Sequence, residues 1–186
     1  MAPAIAPPKI ALLRGVNLGK ARRVAMAEVR SALEAAGWRS VRSIGQSGNL
    51  VFEADDADEA RLEAAAERAL LERLGLTTEV VVRGAKAWRA MMAANPFPHE
   101  AQSDPSHLLV MVMKSAPRAD AEAAMAAVPG RERARVIGRE AFIVYPDGIA
   151  GVRLGGAVLD KALGARGTGR NWNTVVKLAA LAGAGP

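Results

Sequence analysis

Arg14, Asn17, Lys20, Arg22 and Arg23 crowd into one short segment directly after the apolar run Ile10-Ala11-Leu12-Leu13, with Gly15 and Gly19 between them. A guanidinium fork grips phosphate or carboxylate with two parallel hydrogen bonds, and a carboxamide adds a donor and an acceptor beside it. Gln46-Ser47-Gly48-Asn49 repeats the pattern of amides and a hydroxyl around a glycine. A third group, Thr168-Gly169-Arg170-Asn171-Trp172-Asn173-Thr174, reads as a helix start. Asn171 is placed to cap it, Thr174 follows three residues on, and the first N–H groups of a helix have no partner within it. Arg170 just ahead of that end adds charge to an anion site. The candidate ligand-binding residues are therefore Arg14, Asn17, Gln46, Ser47, Asn49, Arg170 and Asn171. Their chemistry suits a small phosphate-bearing molecule or a nucleic-acid backbone. A plainer reading stands beside it: the amides satisfy loop backbone, the glycines relieve strain, Asn171 is an ordinary cap and Trp172 a packing anchor.

These residues need elements to hold them. Four apolar residues in succession at Ile10–Leu13 fit a strand buried on both faces, because an alternating strand would put every second one in water. Met26, Val29, Leu33 and Ala36 fall at helical spacing, and Gly37 ends that run as a left-handed cap does. Val41–Ile44 and Leu50–Phe52 read as strands joined by the polar turn at 46–49, a hairpin. Asp55 to Asp58 supply cap and first-turn acids for a helix carrying Leu62, Ala66, Leu70 and Leu74 inward, stopped at Gly75. Thr77–Val82 is β-branched and closes the series as a strand. The order β-α-β-β-α-β is that of the ferredoxin-like split βαβ unit, an α-β plait with both helices on one face of an antiparallel sheet. In that plait the first and third strands are neighbours, so the segments at Arg14–Asn17 and Gln46–Asn49 meet at one sheet edge.

The series then begins again. Trp88, Met91 and Met92 suggest a connecting helix, and Asn95-Pro96-Phe97-Pro98 with Asp104-Pro105 interrupt regular structure. His107–Met113 reads as a strand, Ala119–Val128 as a helix, and Arg133–Ile137 with Ala141–Tyr145 as a hairpin turning near Gly138. No closing strand is legible there. Ala157–Leu163 and Asn171–Ala182 both read as helices. The expected class is α+β: a ferredoxin-like subdomain over 8–84, a linker helix and Pro-rich connection over 85–105, and a degenerate second subdomain with terminal helices over 106–182.

Composition sets limits on chemistry. The 186 residues include no cysteine, which excludes disulfides, thiolate metal sites and a cysteine nucleophile. His99 and His107 are the only imidazoles, and no His/Asp/Glu spacing fits a metal site. No P-loop, GxGxxG or GxSxG pattern occurs, so neither a metal nor a cofactor is expected. The Asp55-Asp56-Ala57-Asp58-Glu59 run reads as a solvated helix start rather than a cation site. No apolar run reaches the ~18 residues of a membrane span. The segment Met1–Pro8 lacks the features of a signal peptide, so a cytoplasmic protein with no membrane partner is expected. Net charge is +6, with nineteen arginines against six lysines. Such an excess arises from GC-rich coding or from a surface that meets phosphate. The Arg131-Glu132-Arg133-Ala134-Arg135 segment either touches phosphate or alternates charge outward on a strand.

Three ordered blocks carry a resemblance: Ala11-Leu12-Leu13-Arg14-Gly15-Val16-Asn17-Leu18-Gly19, then Gln46-Ser47-Gly48-Asn49-Leu50-Val51-Phe52, then Arg170-Asn171-Trp172-Asn173-Thr174-Val175. They resemble the bacterial domain-of-unknown-function family 1697 over nearly the whole chain. The resemblance implies two ferredoxin-like subdomains in a cytosolic protein without an established activity. The chain departs from the family in Lys20, where a second glycine is common, and in Ile44-Gly45, where a tyrosine–isoleucine pair is common. The missing tyrosine removes a stacking group from that edge of the hairpin.

Three function classes follow. The first is a binding module for a nucleotide, sugar phosphate or RNA backbone. Base-specific RNA reading fits poorly, because only 4% of residues are aromatic and the third strand carries a lone Phe52. The second is an enzyme on a small anionic substrate, for which no general base or nucleophile is evident. The third is a structural or partner-binding protein with no ligand.

Overall fold

A computed structural model describes residues 6–17 and 23–184. Lys20 and Arg22 of the cationic segment lie outside the described residues. Strand β1 (Lys9–Leu13) is buried at every position, as its unbroken apolar run requires. Helix α1 (Met26–Ala35) turns Met26, Val29, Ala32 and Leu33 inward, and Gly37 follows its end at φ 96°. Strand β2 (Arg39–Ile44) pairs with β3 (Asn49–Glu53), with a shift of register between Arg39 and Arg42. Helix α2 (Glu59–Leu74) starts where the Asp58 side chain accepts the Arg61 N–H and stops at left-handed Gly75. Strand β4 (Val80–Gly84) completes a sheet in the order β2-β3-β1-β4.

All pairings in that sheet are antiparallel. Ala11, Leu13, Leu50, Phe52, Val80 and Val82 project from one face into a core shared with Val29, Leu33, Leu62, Ala66 and Leu70. Trp38 stacks flat on Phe52, with ring centroids 3.5 Å apart.

Helices α3 (Ala85–Ala93) and α4 (Pro98–Ser103) lead to a second series. It comprises β5 (Leu108–Met113), α5 (Ala121–Ala126), β6 (Arg133–Ile137), β7 (Glu140–Val144), α6 (Gly156–Leu163) and β8 (Gly167–Asn171), before the terminal α7 (Trp172–Leu181). Its sheet has the order β6-β7-β5-β8, again antiparallel throughout. Met111, Met113, Met125, Ile143, Tyr145, Leu159 and Leu163 build its core. The Tyr145 hydroxyl donates to the Leu154 carbonyl, and burial pushes its pKa up to about 12. Among the described residues the architecture is mixed α/β, with two four-stranded antiparallel sheets and seven helices.

Two sequence expectations need correction. The second series does have a closing strand, β8, paired with β5 from Leu109↔Asn171 to Met113↔Gly167. Its sequence, Gly-Thr-Gly-Arg-Asn, has no apolar pattern because β5, its one neighbour in the sheet, supplies its packing. A Cβ on Gly167 would lie 2.5 Å from the Val112 carbonyl oxygen, and one on Gly169 would lie 2.9 Å from Met111 Sδ. Only glycine admits that approach. Helix α4 was not expected either. It is six residues long and begins at Pro98, a residue favoured in a first helical turn but read in isolation as an interruption.

The described residues group into two compact units, one within 1–90 and 177–186 and the other within 91–176. Residues 177–182, expected with the C-terminal subdomain, therefore cluster with the N-terminal unit. Arg42 Nη2 donates to the Leu181 carbonyl there, at 2.8 Å.

Leu12 is 1% exposed in the central strand. Leu12→Ala should lower stability by about 2–5 kcal/mol through lost transfer energy and a residual cavity, read as a fall in the urea midpoint. Gly167→Ala should displace β8, because the obstructing atoms include backbone. Faster amide exchange at Leu109–Met113 is the expected signature, and unchanged exchange would contradict the close approach.

Candidate functional site

The edge where β1 ends is built by three segments. Leu13 N–H donates to the Gly48 carbonyl at 2.8 Å, drawing the β2–β3 turn against β1. Gly48 has φ 70°, and a Cβ there would come within 2.5 Å of Leu13 Cβ, so both conformation and space require glycine. Arg14 is anchored on the opposite side: its N–H donates to the Glu79 carbonyl at 2.9 Å, and its own carbonyl accepts the Thr78 hydroxyl at 2.8 Å. The Arg14 guanidinium stands beside the Glu79 carboxylate, Nε to Oε2 3.6 Å, with about a quarter of the arginine side chain exposed.

Asn17 joins the remaining parts. It takes the left-handed conformation at φ 57°, which asparagine tolerates better than most residues. Its Nδ2 donates to the Val24 carbonyl at 3.0 Å and to the Gln46 carbonyl at 2.7 Å, while Oδ1 accepts the Val24 N–H at 2.8 Å. One carboxamide thus clasps the β1 exit to the start of the α1 approach and to the turn. Asn49, 6% exposed, lies opposite Leu12 and directs Nδ2 to the Ile44 carbonyl across the same turn. The side chains of Gln46 and Ser47 are exposed at the tip. Arg14, Asn17, Gln46, Ser47 and Asn49 consequently share one edge of the first sheet, with Asn17 and Asn49 turned toward backbone.

Arg170 and Asn171 belong to the other unit. Arg170 lies within β8 opposite Val110, not in a loop ahead of a helix as its sequence context suggested. Its Nη1 donates to Thr168 Oγ1 at 2.6 Å and to the Gly169 carbonyl at 2.8 Å, and burial lowers its pKa to about 10. Asn171 Oδ1 accepts the Thr174 N–H at 3.1 Å and the Thr174 hydroxyl at 3.0 Å, a cap for α7. The helix start is as the spacing indicates, and Oδ1 of Asn171 is committed to it.

Thr78 and Glu79, which fix Arg14, carry no local signal of that role in the sequence, where they read only as the start of a strand. The second unit contains a cavity of about 300 Å³ lined by Phe97, Glu122, Met125, Arg133, Arg135 and Leu154. Arg133 lies over the Phe97 ring, 5.4 Å from its centroid, and pairs with Glu100, whose carboxyl it holds below the usual range. His107 Nδ1 is 2.7 Å from Asp104 Oδ2, and this hydrogen bond lowers the Asp104 pKa. The acids at 55–58 serve local structure: Asp55 bonds Arg39, Asp56 accepts the Asp58 N–H, and Asp58 caps α2. Among the described residues no group of three or more His, Asp or Glu side chains could hold a metal ion.

Fold and edge together define a mixed α/β protein of two antiparallel sheets, with a polar corner fixed at the end of a central strand. The chain belongs to the family described as protein of unknown function (DUF1697), whose sequence model matches residues 7–142. The matched span holds the Arg14 and Gln46 segments and ends before Arg170. Among solved structures, a conserved bacterial protein, SP0830 from Streptococcus pneumoniae, is similar with a TM-score of 0.72 and 20% sequence identity, over 95% of this chain and 98% of that one. At that identity the likeness speaks for the fold. No functionally curated protein matches the chain.

Asn17→Asp keeps Oδ1 but turns a carboxylate toward the Val24 and Gln46 carbonyls. Loss of two donors and the added repulsion should cost about 1–3 kcal/mol, and Asn17→Ala should cost a similar amount. Denaturant titration measures the cost, and faster amide exchange around Val24 should accompany it.

Proposed function

We propose that the chain is a binding module for a phosphate-bearing ligand, a nucleotide, sugar phosphate or RNA backbone, in a bacterial cytoplasm. Its two units form ferredoxin-like plaits in this reading. The strand orders β2-β3-β1-β4 and β6-β7-β5-β8, each with two helices inserted in β-α-β-β-α-β sequence, support that assignment. The observation that carries the binding proposal is the clasp at Asn17. Such a clasp fixes the Arg14 and Gln46-Ser47 segments in one geometry before any ligand arrives, and preorganisation lowers the cost of binding.

The roles divide accordingly. Arg14 contributes the charge-assisted contact to phosphate, exchanging its long approach to Glu79 for a bidentate one. Gln46 and Ser47 add neutral hydrogen bonds from exposed positions, and Arg23 adds an exposed charge at the far end of the segment. Asn17 and Asn49 are positioning residues. Arg170 and Asn171 enter as a second pair of donors in the other unit, tested separately. The reading calls for no cofactor and no metal. No helix among the described residues is long and apolar enough to cross a membrane.

A second reading, a partner-binding protein without a small ligand, draws on the same clasp. Both the oxygen and the nitrogen of Asn17 are spent on backbone, as in a purely structural corner.

A thermal-shift panel of inorganic phosphate, nucleotides, sugar phosphates and short RNA separates the two. Binding should raise the midpoint for at least one class, and added salt should weaken a polyanion more steeply than a mononucleotide. Arg14→Lys keeps the charge but loses the fork, so affinity should fall roughly tenfold, about 1.4 kcal/mol. Arg170→Lys should weaken binding only if the second unit contributes. A panel without any shift, or an Arg14→Lys protein that binds as the parent does, rejects the phosphate site.

A further inference from the structure

The edge strand β4 has the sequence Val-Val-Val-Arg-Gly, a β-branched apolar run of the kind that pairs with another chain when its backbone is open. It is not open. In its register with β1, the N–H groups of Val80, Val82 and Gly84 point away from the sheet. Val80 N–H donates to Glu67 Oε1 at 2.8 Å, Val82 N–H to Glu63 Oε1 at 2.8 Å, and Gly84 N–H to Glu59 Oε1 at 3.1 Å. The three glutamates stand four residues apart along α2, and the three strand residues two apart along β4.

The match is geometric. Four helical residues rise about 6.0 Å and two strand residues about 6.6 Å, so an antiparallel helix can present one carboxylate to every outward amide. The edge carbonyls receive attention too. Arg83 Nη1 donates to the Val82 carbonyl at 2.8 Å and lies 3.7 Å from Glu59 Oε2.

The second unit repeats the device at one position. Val136 N–H on edge strand β6 donates to Glu122 Oε1 at 2.6 Å. Arg135 Nη1 donates to the Ala134 carbonyl at 3.0 Å and approaches Glu122 Oε2 to 3.8 Å. The same pair of residue types thus does the same work on two different strands. We infer that Glu59, Glu63 and Glu67 act as a surrogate fifth strand, closing the β4 edge against pairing with a second copy of this chain. This inference is independent of the phosphate reading.

Native-state amide exchange on the parent protein gives the first test. Val80, Val82 and Gly84 should exchange at least about tenfold more slowly than a solvated strand edge, although no neighbouring strand reaches them. Exchange at solvated-edge rates would overturn the inference, and this measurement needs no variant to fold. The second test compares Glu59→Ala/Glu63→Ala/Glu67→Ala with the corresponding triple glutamine protein by sedimentation and exchange. The alanine protein should release those three amides and self-associate in a concentration-dependent way through β4. The glutamine protein keeps a carbonyl acceptor at each position and should remain like the parent. An alanine protein that associates no more than the parent overturns the inference. So does a glutamine protein that associates as readily as the alanine one.

Discussion

Strand β1 is buried on both faces and paired on both edges, and most of the first unit follows from that constraint. A strand so placed has no solvent to satisfy its backbone, so β3 and β4 must flank it along its length. Pairing Leu12 with Asn49 then brings the β2–β3 turn to the end of β1, and pairing Leu13 with Val80 brings Thr78 and Glu79 to the other side. The polar corner at Arg14 is where the two neighbouring strands of a central strand have to meet it. Strand β5 is in the same position between β7 and β8, and the backbone of β8 is pressed against it closely enough to exclude any side chain at Gly167.

Elements with local signals were legible in the sequence. The apolar run of β1, the Asp58 cap, the Gly75 stop and the Gly48 turn each depend on nearby residues and one physical preference. Strand β8 was not legible, because its stability comes from contacts with β5 that a window of five residues does not contain. The same reason hid the fate of α7, whose start is capped by Asn171 in one unit while its end falls with the other.

At the candidate site, residue types were legible but directions were not. By sequence Asn17, Asn49 and Asn171 are all donors available to a ligand, yet all three turn toward groups of their own chain. Asparagine is apt for both uses because its compact amide carries two donors and an acceptor, which satisfy backbone brought near by the fold as readily as they reach outward. Sequence spacing fixes which residues gather at an edge. It does not fix which lone pairs remain for another molecule, since that depends on the left-handed turn at Asn17 and on the position of Val24.

The arginine excess bears the same lesson. As composition it suggested either coding bias or a surface for phosphate, but many guanidinium groups have internal work. Arg39 meets Asp55, Arg118 meets Asp120 and Arg131 meets Asp147 at the surface, where such pairs contribute little to stability. Arg83, Arg135 and Arg170 do something more specific: each lies in an edge strand and donates to the carbonyl of the residue before it. A guanidinium can do this because it carries five donors in a rigid plane and keeps its charge when partly buried, whereas a lysine amine offers a single point. Four-stranded sheets expose a large share of their backbone at edges, and a chain with two of them needs many donors and acceptors there. Edge closure is therefore a use of arginine and glutamate that net charge does not register.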